Sequence, residues 1–520
     1  MNYSKYFLLY LILISCVSTQ ESNLKKIDIT LLGGVREVSG SSFMINTNVE
    51  DFIIDYGLFY PETKNKNYNS DKRDTQSKNA ELTINPRSIS TIVLSHAHLD
   101  HIGKVPLLVK KGFSGEIILT PKTAELASIM FESQILEKSN FGIERFIKSK
   151  KSDKYHTHMC RGAKKIKEYN LVYVNKFRND IEWPDQVCKI CLSDELEKIE
   201  SYYKIVEYSS RYKIFKDMYL EFYDAKHIPG SSSILLTYVL NGEEGSIYFS
   251  GDVGSGIDNI LRGNPDNPKN VDYVFMESTY GGISRDLSEN PFLEFYQSIN
   301  NAVQNDERIW APSFVLDRTQ KFLNQIKVGH EKGFIDEVPD IYILSKTAKK
   351  INKMYRKYYN FETGMEDESF NMSADPKKTS YLLDKPSIVI TPSYIDDMDF
   401  FHPVVESIIT DKNSNIFMVG YQDPRSFGGI LKGGINKGKK VKLGNKYITV
   451  NATTKYLGSA FSGHIDENGI INYLSDMNIK KEVILTHGDY SRMIKLKSRI
   501  EDQLSIGCSI PDYTWELNLR

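Results

Sequence analysis

The sequence predicts an α/β protein built from more than one domain. Short apolar runs typical of buried strands, such as Ile27–Leu32 and Thr91–Leu94, alternate with segments of helical spacing such as Leu293–Val303. The length of 520 residues exceeds that of a typical single domain, and the 40% hydrophobic content is enough to bury sizeable cores. The formal net charge of −1 excludes a protein that binds nucleic acid over its whole surface but leaves a local basic cleft open.

The first residues are typical of an export signal rather than of folded structure. Lys5 precedes the apolar stretch Tyr6–Ile14, which is too short to span a membrane. The sequence Leu13-Ile-Ser-Cys16 resembles a bacterial lipobox, in which the cysteine is lipidated. We therefore expect a signal peptide over residues 1–15, lipidation of Cys16, a tether over 16–24, and an exported lipoprotein on the periplasmic or extracellular side. An ordinary cleaved signal peptide and an uncleaved anchor are the alternatives.

The first domain-like segment begins near residue 25 with two predicted strands, Ile27–Leu32 and Phe43–Ile45. A third strand, in the segment Asp51–Gly57, contains the carboxylate of Asp55 near its end. The stretch Tyr60–Asn79 is polar, and we expect it to form an exposed loop.

A dense group of metal-binding residue types follows the strand Thr91–Leu94. Histidine or aspartate occupies four of the six positions from 96 to 101, namely His96, His98, Asp100 and His101. Three imidazoles and one carboxylate this close together can surround two cations such as Zn²⁺. In an extended loop the first two histidines point one way, and the last two side chains turn toward a second metal.

A basic insertion is expected at about residues 145–192. Eleven Lys or Arg residues lie between Arg145 and Arg178, which predicts a solvated surface segment or a surface that faces nucleic acid. Three cysteines, Cys160, Cys188 and Cys191, accompany two histidines in this region. A structural zinc site, a disulfide, and unpaired cysteines all remain open.

The motif His-x-His-x-Asp-His after an apolar strand resembles the metallo-β-lactamase superfamily of metal-dependent hydrolases. Two later strands end in residues that match further ligands of that superfamily, His227 after Tyr219–Asp224 and Asp252 after Ser246–Gly251. The resemblance also implies that Asp55 braces the metal loop from behind the ligands.

Five further motifs resemble the β-CASP branch, whose members process nucleic acids. They are Glu277-Ser-Thr-Tyr-Gly281, Pro312-Ser-Phe-Val-Leu-Asp-Arg318-Thr-Gln320, Tyr421-Gln-Asp-Pro-Arg-Ser426, Phe461-Ser-Gly-His464 and Leu485-Thr-His487. The histidine that the branch usually carries shortly after the first of these motifs is absent, and Ile283-Ser-Arg285-Asp286 stands there instead.

The resemblance implies a metallo-β-lactamase αββα sandwich with an inserted α/β β-CASP domain. The expected boundaries are 25–285 for the first part of the sandwich, 286–438 for the inserted domain and 439–520 for the return segment.

The implied activity is hydrolysis of RNA, or of single-stranded DNA, by a two-metal hydroxide mechanism. One Zn²⁺ is assigned to His96, His98 and His227, and a second to Asp100, His101 and His487, with Asp252 bridging them. His464 is the implied general acid, supported by Glu277. Arg318 and Ser426 are candidate phosphate contacts.

Two rival functions remain at this point. An exported hydrolase acting on an ester, thioester or lactam would use the same metal chemistry, since a fold does not fix a substrate. A surface binding protein with a relic site is the second, although the complete ligand set argues against it. The sequence does not give the oligomeric state.

Overall fold

A computed structural model describes most of the chain. The described residues are 24–61, 68–149, 195–256, 260–261, 263–285, 290–359, 386–393, 395, 401–424, 426–432, 437–458 and 460–520, with side chains left out at 68–73 and 136–149. The predicted signal peptide, Cys16, nearly all of the tether, Cys160, Cys188 and Cys191 lie outside these residues. Within them, no helix combines the length and apolar character needed to cross a membrane.

Within the described residues, twenty-one strands form three sheets and one hairpin. In chain order they are β1 Ile27–Gly33, β2 Ser42–Thr47, β3 Asp51–Ile54, β4 Ile89–Val93, β5 Glu116–Leu119, β6 Tyr203–Ile205, β7 Tyr212–Phe215, β8 Met218–Asp224, β9 Ser232–Leu240, β10 Glu243–Phe249, β11 Val271–Glu277, β12 Arg308–Ser313, β13 Asp340–Ile343, β14 Ser387–Pro392, β15 Ser414–Met418, β16 Lys440–Leu443, β17 Lys446–Thr449, β18 Thr453–Tyr456, β19 Ile479–Thr486, β20 Gly507–Ser509 and β21 Glu516–Leu519.

Residues 195–200 are helical, and eleven further helices accompany the strands in the part of the chain that the structure describes. They are α1 Tyr68–Ala80, α2 Leu99–Ile102, α3 Val105–Lys111, α4 Pro121–Ser149, α5 Leu293–Gln304, α6 Arg318–Glu331, α7 Lys346–Tyr359, α8 His402–Ile409, α9 Phe427–Lys432, α10 Glu467–Ser475 and α11 Tyr490–Leu504.

Two seven-stranded sheets form the centre of the first domain. Their strand orders are β21-β1-β2-β3-β4-β5-β6 and β20-β19-β11-β10-β9-β8-β7. The sheets face each other across a common apolar core, in which the ring of Phe43 lies 5.0 Å from that of Phe249 and 5.3 Å from that of Phe275. Alternating burial along β1 shows the period of two that places one face of a strand in such a core.

Helices cover the outer face of each sheet and complete the αββα sandwich. On the first sheet, Leu126 and Phe131 of α4 pack in the same cluster as Ile92. On the second, Leu496 of α11 packs in the same cluster as Val274. The predicted four-layer sandwich is therefore confirmed.

The inserted domain is built on a parallel sheet of order β13-β14-β12-β15-β18. Its fifth strand, β18, lies beyond the boundary expected near Gly438, and the apolar side chains of Val441 and Ile448 in the β16–β17 hairpin pack into this domain's core. By strand pairing, the inserted domain thus extends to Tyr456. The strand β18 pairs in parallel with β15. The segment Thr453–Tyr456 is too short for its own sequence pattern to predict this pairing.

The two domains meet along helices α4 and α7. The hydroxyls of Ser133 and Thr347 lie 2.9 Å apart, and the carboxylate of Glu125 accepts hydrogen bonds from Lys357 and Tyr358 at 2.9 and 2.8 Å. One apolar cluster also continues from the first domain into the second. The domains therefore share a packed junction rather than only a linker.

One element differs from its expected form, because the polar stretch expected as a loop contains helix α1. The helix has no apolar stripe, which is the pattern by which a surface helix is recognised in a sequence. Near its end, the amide of Asn79 accepts from the backbone N–H of Phe59 at 2.8 Å and donates to its carbonyl at 2.9 Å. Lys104 also donates to the carbonyl of Lys78 at 3.1 Å. Contacts distant in sequence thus hold this helix.

Candidate metal centre

The predicted metal ligands lie together where strands of both sheets end. The loop after β4 and the short helix α2 supply four of them, and the loops after β8, β10 and β19 supply one each. Gly57 permits the close approach of α2, since a Cβ atom there would lie 1.6 Å from the carbonyl oxygen of Asp100. The ligands so placed are His96, His98, Asp100, His101, His227, Asp252 and His487.

The first group of ligand atoms belongs to His96, His98, His227 and Asp252. Nδ1 of His98 lies 3.1 Å from Nε2 of His96 and 3.1 Å from Nε2 of His227. Oδ2 of Asp252 lies 3.5 Å from the first of these Nε2 atoms and 3.6 Å from the second. Four donors around a tetrahedral Zn²⁺ with Zn–N distances of 2.0–2.1 Å would lie about 3.3 Å apart. These separations fit that arrangement.

The second group belongs to Asp100, His101 and His487, and the other oxygen of Asp252 faces it. Oδ1 of Asp252 lies 3.2 Å from Nε2 of His101 and 3.6 Å from Nε2 of His487. Nε2 of His487 lies 3.9 Å from Oδ2 of Asp100. The two carboxylate oxygens of Asp252 are thus divided between the two groups, as a bridging ligand requires.

Buried donor atoms without hydrogen-bond partners provide a test of whether the residues suit a metal. In the described part of the chain, Nε2 of His101, Nε2 of His487 and Oδ1 of Asp252 are buried and make no hydrogen bond. Such atoms are rare, because an unpaired buried polar group is costly. Imidazole and carboxylate donors suit Zn²⁺, so the donor set is consistent with a metal centre.

Hydrogen bonds behind the ligands fix the orientation of the second group. Oδ2 of Asp55 lies 2.7 Å from Nδ1 of His101, and the same carboxylate accepts from the N–H and hydroxyl of Ser95 at 2.8 and 2.7 Å. Oγ of Ser41 lies 2.6 Å from Nδ1 of His487. The nitrogen opposite each of these contacts is the one that faces Asp252, so the contacts aim the rings at the site.

Burial and neighbouring carboxylates shift the imidazole pKa values in opposite directions. Burial holds the pKa of His98 and of His227 well below the usual range. Burial also lowers the pKa of His101, but Asp252 and Asp55 outweigh that effect and raise it well above the usual value. Neutral imidazole is the form that binds a metal, so the lowered pKa values of His98 and His227 favour metal binding at neutral pH.

His464 stands beside the two groups and is paired with Glu277. Its Nδ1 lies 3.0 Å from Oε1 of Glu277, and its Nε2 lies 3.9 Å from Oδ2 of Asp252. Burial lowers the pKa of His464, but Glu277 and Asp252 outweigh it and raise the value to about 9. Glu277 is itself fixed by the N–H groups of Val253 and Thr279, at 2.9 and 3.2 Å. The imidazole therefore holds a proton near neutral pH.

The two candidate substrate contacts, Arg318 and Ser426, differ in their hydrogen bonding. Arg318 is the first residue of α6, and its Nη1 donates to the carbonyl of Val419 at 3.0 Å while its buried Nε makes no hydrogen bond within the described structure. Ser426 is fully buried, and its hydroxyl donates to the carbonyl of Asp423 at 2.7 Å and accepts from the N–H of Gly429 at 3.1 Å. Ser426 thus stabilises its own loop at the start of α9, and we withdraw it as a phosphate contact.

Several residues that support the site gave no signal in the sequence. Ser41 and Ser95 were not singled out, because serine in a glycine-containing or polar loop is common. The carbonyl of Gly463 lies 3.2 Å from Nδ1 of His227, but the motif that contains Gly463 indicates a role only for His464. The hydrogen-bonding partner behind a ligand therefore became visible only in three dimensions.

Three family profiles match successive parts of the chain. Residues 35–287 match the metallo-beta-lactamase superfamily, and residues 321–431 match the Beta-Casp domain. Residues 447–511 match a profile described as the Zn-dependent metallo-hydrolase RNA specificity domain. The order of the three matches follows the order of the two domains and the return segment.

Curated relatives match over nearly the whole chain at low identity. A ribonuclease of Thermus thermophilus is 21% identical over 89% of this chain and 94% of its own length. The transcription termination factor FttA of Methanothermobacter thermautotrophicus is 24% identical over 91% of this chain and 68% of its own length. The Integrator complex subunit 11 homolog of Dictyostelium discoideum is 22% identical over 84% of this chain and 54% of its own length.

Proposed function

The chain belongs to the β-CASP branch of the metallo-β-lactamase superfamily, and from this premise we propose that it is a metal-dependent ribonuclease. The observation that carries the proposal is the position of His464. The imidazole of His464, with its own carboxylate partner, lies 3.9 Å from the aspartate whose two oxygens face both ligand groups. That pairing supplies a proton donor beside the metal centre, which hydrolysis of a phosphodiester needs for its leaving oxygen.

We assign Zn²⁺ as the metal and two ions per chain, because the ligands divide into two groups that share one carboxylate. Bound there, such ions lower the pKa of bound water toward neutrality and polarise a phosphoryl oxygen. The chain's own contribution is orientation. Asp252 holds the two groups at a fixed separation, while Asp55 and Ser41 set the rings of His101 and His487.

His464 is assigned the transfer of a proton to the departing oxygen of the substrate. Its Nδ1 is held by Glu277, so Nε2 is the atom that delivers the proton. Glu277 stabilises the imidazolium before the transfer, and the negative charge also fixes the ring. A general acid in such a position contributes roughly 10²–10⁴ to the rate.

RNA is the substrate that the relatives and domains support. The relatives include a ribonuclease, and one matched domain is described as an RNA specificity domain. Neither observation favours the rival function on an ester, thioester or lactam. Exposed Tyr456, with the ammonium of Lys432 3.9 Å from the ring centroid, offers a surface on which a base of a single strand can stack.

Incubation of metal-loaded protein with end-labelled single-stranded RNA and DNA tests the activity. Residues 17–520 keep Leu24, which is fully buried and whose carbonyl accepts from the N–H of Asn241 at 3.3 Å. We expect metal-dependent cleavage of RNA that is lost in His98→Ala and with a chelator. His330→Ala is the matched control, because His330 bonds within its own helix end, 3.0 Å from the carbonyl of Ile335. Absence of cleavage of both polymers by protein shown to hold metal would overturn the proposal.

We also propose that the protein is exported and anchored only by lipid at Cys16. The basis is the apolar stretch Tyr6–Ile14 followed by a lipobox-like sequence. Growth with a radiolabelled fatty acid in a bacterial host should label the full chain and not Cys16→Ala. Cys508→Ala is a matched control, since that thiol is buried in the second sheet. A chain that stays in the cytoplasm without label would contradict the proposal.

A further inference from the structure

The guanidinium of Arg285 lies against Tyr280 beside the metal centre, and the charge of Arg318 also acts on this phenol. The Cζ atom of Arg285 lies 5.1 Å from the centroid of the Tyr280 ring. Burial raises the pKa of Tyr280, but a hydrogen bond with Ser462 and the charges of His464, Arg318 and Arg285 outweigh it and lower the value. Burial lowers the pKa of Arg318; Asp317 and Tyr280 oppose that effect, and Arg285 adds a smaller lowering. Arg285 comes from the first domain and Arg318 from the second.

Both guanidinium groups keep N–H donors unused. Within the described residues, Nε and Nη1 of Arg285 and Nε of Arg318 are buried and have no hydrogen-bond partner. Arg492, whose Cζ lies 6.0 Å from the same ring, differs because its Nε is 3.4 Å from the carboxylate of Asp489. Buried guanidinium donors without a partner are unfavourable as they stand, and an anion that accepts from both groups would relieve this.

The position of Arg285 is tied to that of the proposed proton donor. Its Nη2 donates to the backbone carbonyl of His464, and its backbone N–H donates to Asp466 at 2.8 Å. The ring of Tyr280 lies 6.2 Å from the ring of His464. An anion held by the two arginines would therefore sit next to the leaving group, on the side of the site where His464 delivers its proton.

We propose that Arg285 and Arg318, with Tyr280 between them, form a second phosphate-binding site. This site takes the phosphodiester that neighbours the scissile one on the leaving-group side, and the inference rests on the proposed ribonuclease function. Guanidinium suits the task because it offers several donors in a fixed plane to phosphate oxygens. Arg285 stands where the related motif usually carries a histidine, so the site would be a property of this chain and give it a preference for substrates with two adjacent phosphates.

Binding of RNA oligonucleotides with one neutral linkage tests the site. Metal-loaded His464→Ala protein serves as the background, so that the RNA stays intact during the measurement. A methylphosphonate replaces the phosphodiester at each linkage in turn. The affinity of each oligonucleotide is then measured for the background protein and for the background protein that also carries Arg285→Gln. One linkage next to the scissile position should lose about tenfold in affinity when neutralised with Arg285 present, and less than about twofold with Arg285→Gln.

The comparison separates a binding role from a structural one, since a general distortion by Arg285→Gln would affect the charged and neutral oligonucleotides alike. Arg499→Gln is the matched control, because Arg499 pairs with Glu467 at 2.7 Å, and it should leave the tenfold effect intact. Equal losses of affinity on neutralisation, in protein with Arg285 and in protein with Arg285→Gln, would refute the proposed site. So would a scan on the background protein alone that finds no sensitive linkage beside the scissile one. Failure of the wild type both to cut and to bind RNA would instead overturn the ribonuclease function.

Discussion

Replacement of Asp55 by asparagine probes how strongly the support behind the ligands determines metal binding. Oδ1 of Asp55 accepts the N–H of Ser95, and Oδ2 lies 2.7 Å from both the hydroxyl of Ser95 and Nδ1 of His101. Asparagine can keep the first contact, but its NH₂ group would then face two donors. The substitution therefore removes the charge and one acceptor while it keeps the size of the side chain.

The expected magnitude is a 10–100-fold loss of affinity for one metal, as is typical when a partner behind a ligand is removed. The loss should fall on the group that contains His101 and spare the group that contains His96, His98 and His227. Backbone strain should not contribute, because Asp55 has φ of 55° and asparagine adopts this left-handed conformation as readily as aspartate.

Titration of metal-free protein with Zn²⁺ against a competing chelating dye measures the two affinities. Asp51→Asn is the matched control, because Asp51 begins the strand that ends just before Asp55 and accepts from the N–H of Thr47 at 3.1 Å, away from the ligands. The control should match the wild type at both sites. Two unchanged affinities in Asp55→Asn, in protein with a wild-type circular dichroism spectrum, would refute the role assigned to this carboxylate.

Three further substitutions test individual roles. Asp252→Asn should lose metal and activity together, because this one carboxylate faces both ligand groups. A variant that keeps both its metal content and the full rate of RNA hydrolysis would contradict this role. His464→Ala should retain metal by elemental analysis while RNA hydrolysis slows by about 10²–10⁴, and loss of metal would refute its assignment as the acid. Glu277→Gln should move the basic limb of the pH–rate profile to lower pH by about one unit or more, because the carboxylate that raises the pKa of His464 is gone. An unmoved limb would show that Glu277 does not control that proton.

The sandwich and the clustering of the candidate ligand side chains could be predicted because their signals are local in the sequence. Ligands such as His96, His98 and His101 follow one strand within six positions, and the others follow buried strands in short motifs. Adjacent parallel strands have their carboxyl ends at the same edge of a sheet. The residues that follow β10, β11 and β19 therefore lie close together at that edge. The residue types and the strand topology therefore both predict a cluster of ligand side chains at this edge of the sheet.

Features that depend on distant partners could not be predicted in the same way. Ser41 lies 446 positions before His487, and nothing in either local sequence indicates their contact. The strand β18 is only four residues long, and its place in the inserted domain follows from pairing with β15. Ser426 matched a motif by position, but its hydroxyl is satisfied within its own loop. A motif gives the residue type at a site, whereas burial decides whether that side chain is available.

Strained backbone at the candidate metal centre indicates that the surrounding fold determines where the ligand side chains lie. Asp55, Lys226 and His487 all have φ between 51° and 56°, a left-handed conformation that costs about 1–2 kcal/mol in a non-glycine residue. Each is held in place by hydrogen bonds: Asp55 to Ser95, the N–H of Lys226 to a carboxylate oxygen of Asp224 at 3.0 Å, and the N–H of His487 to the carbonyl of Gly34 at 2.8 Å. Such conformations persist only where the surroundings determine them. Hydrogen bonds to neighbouring residues thus keep three loops in the geometry that the ligands require.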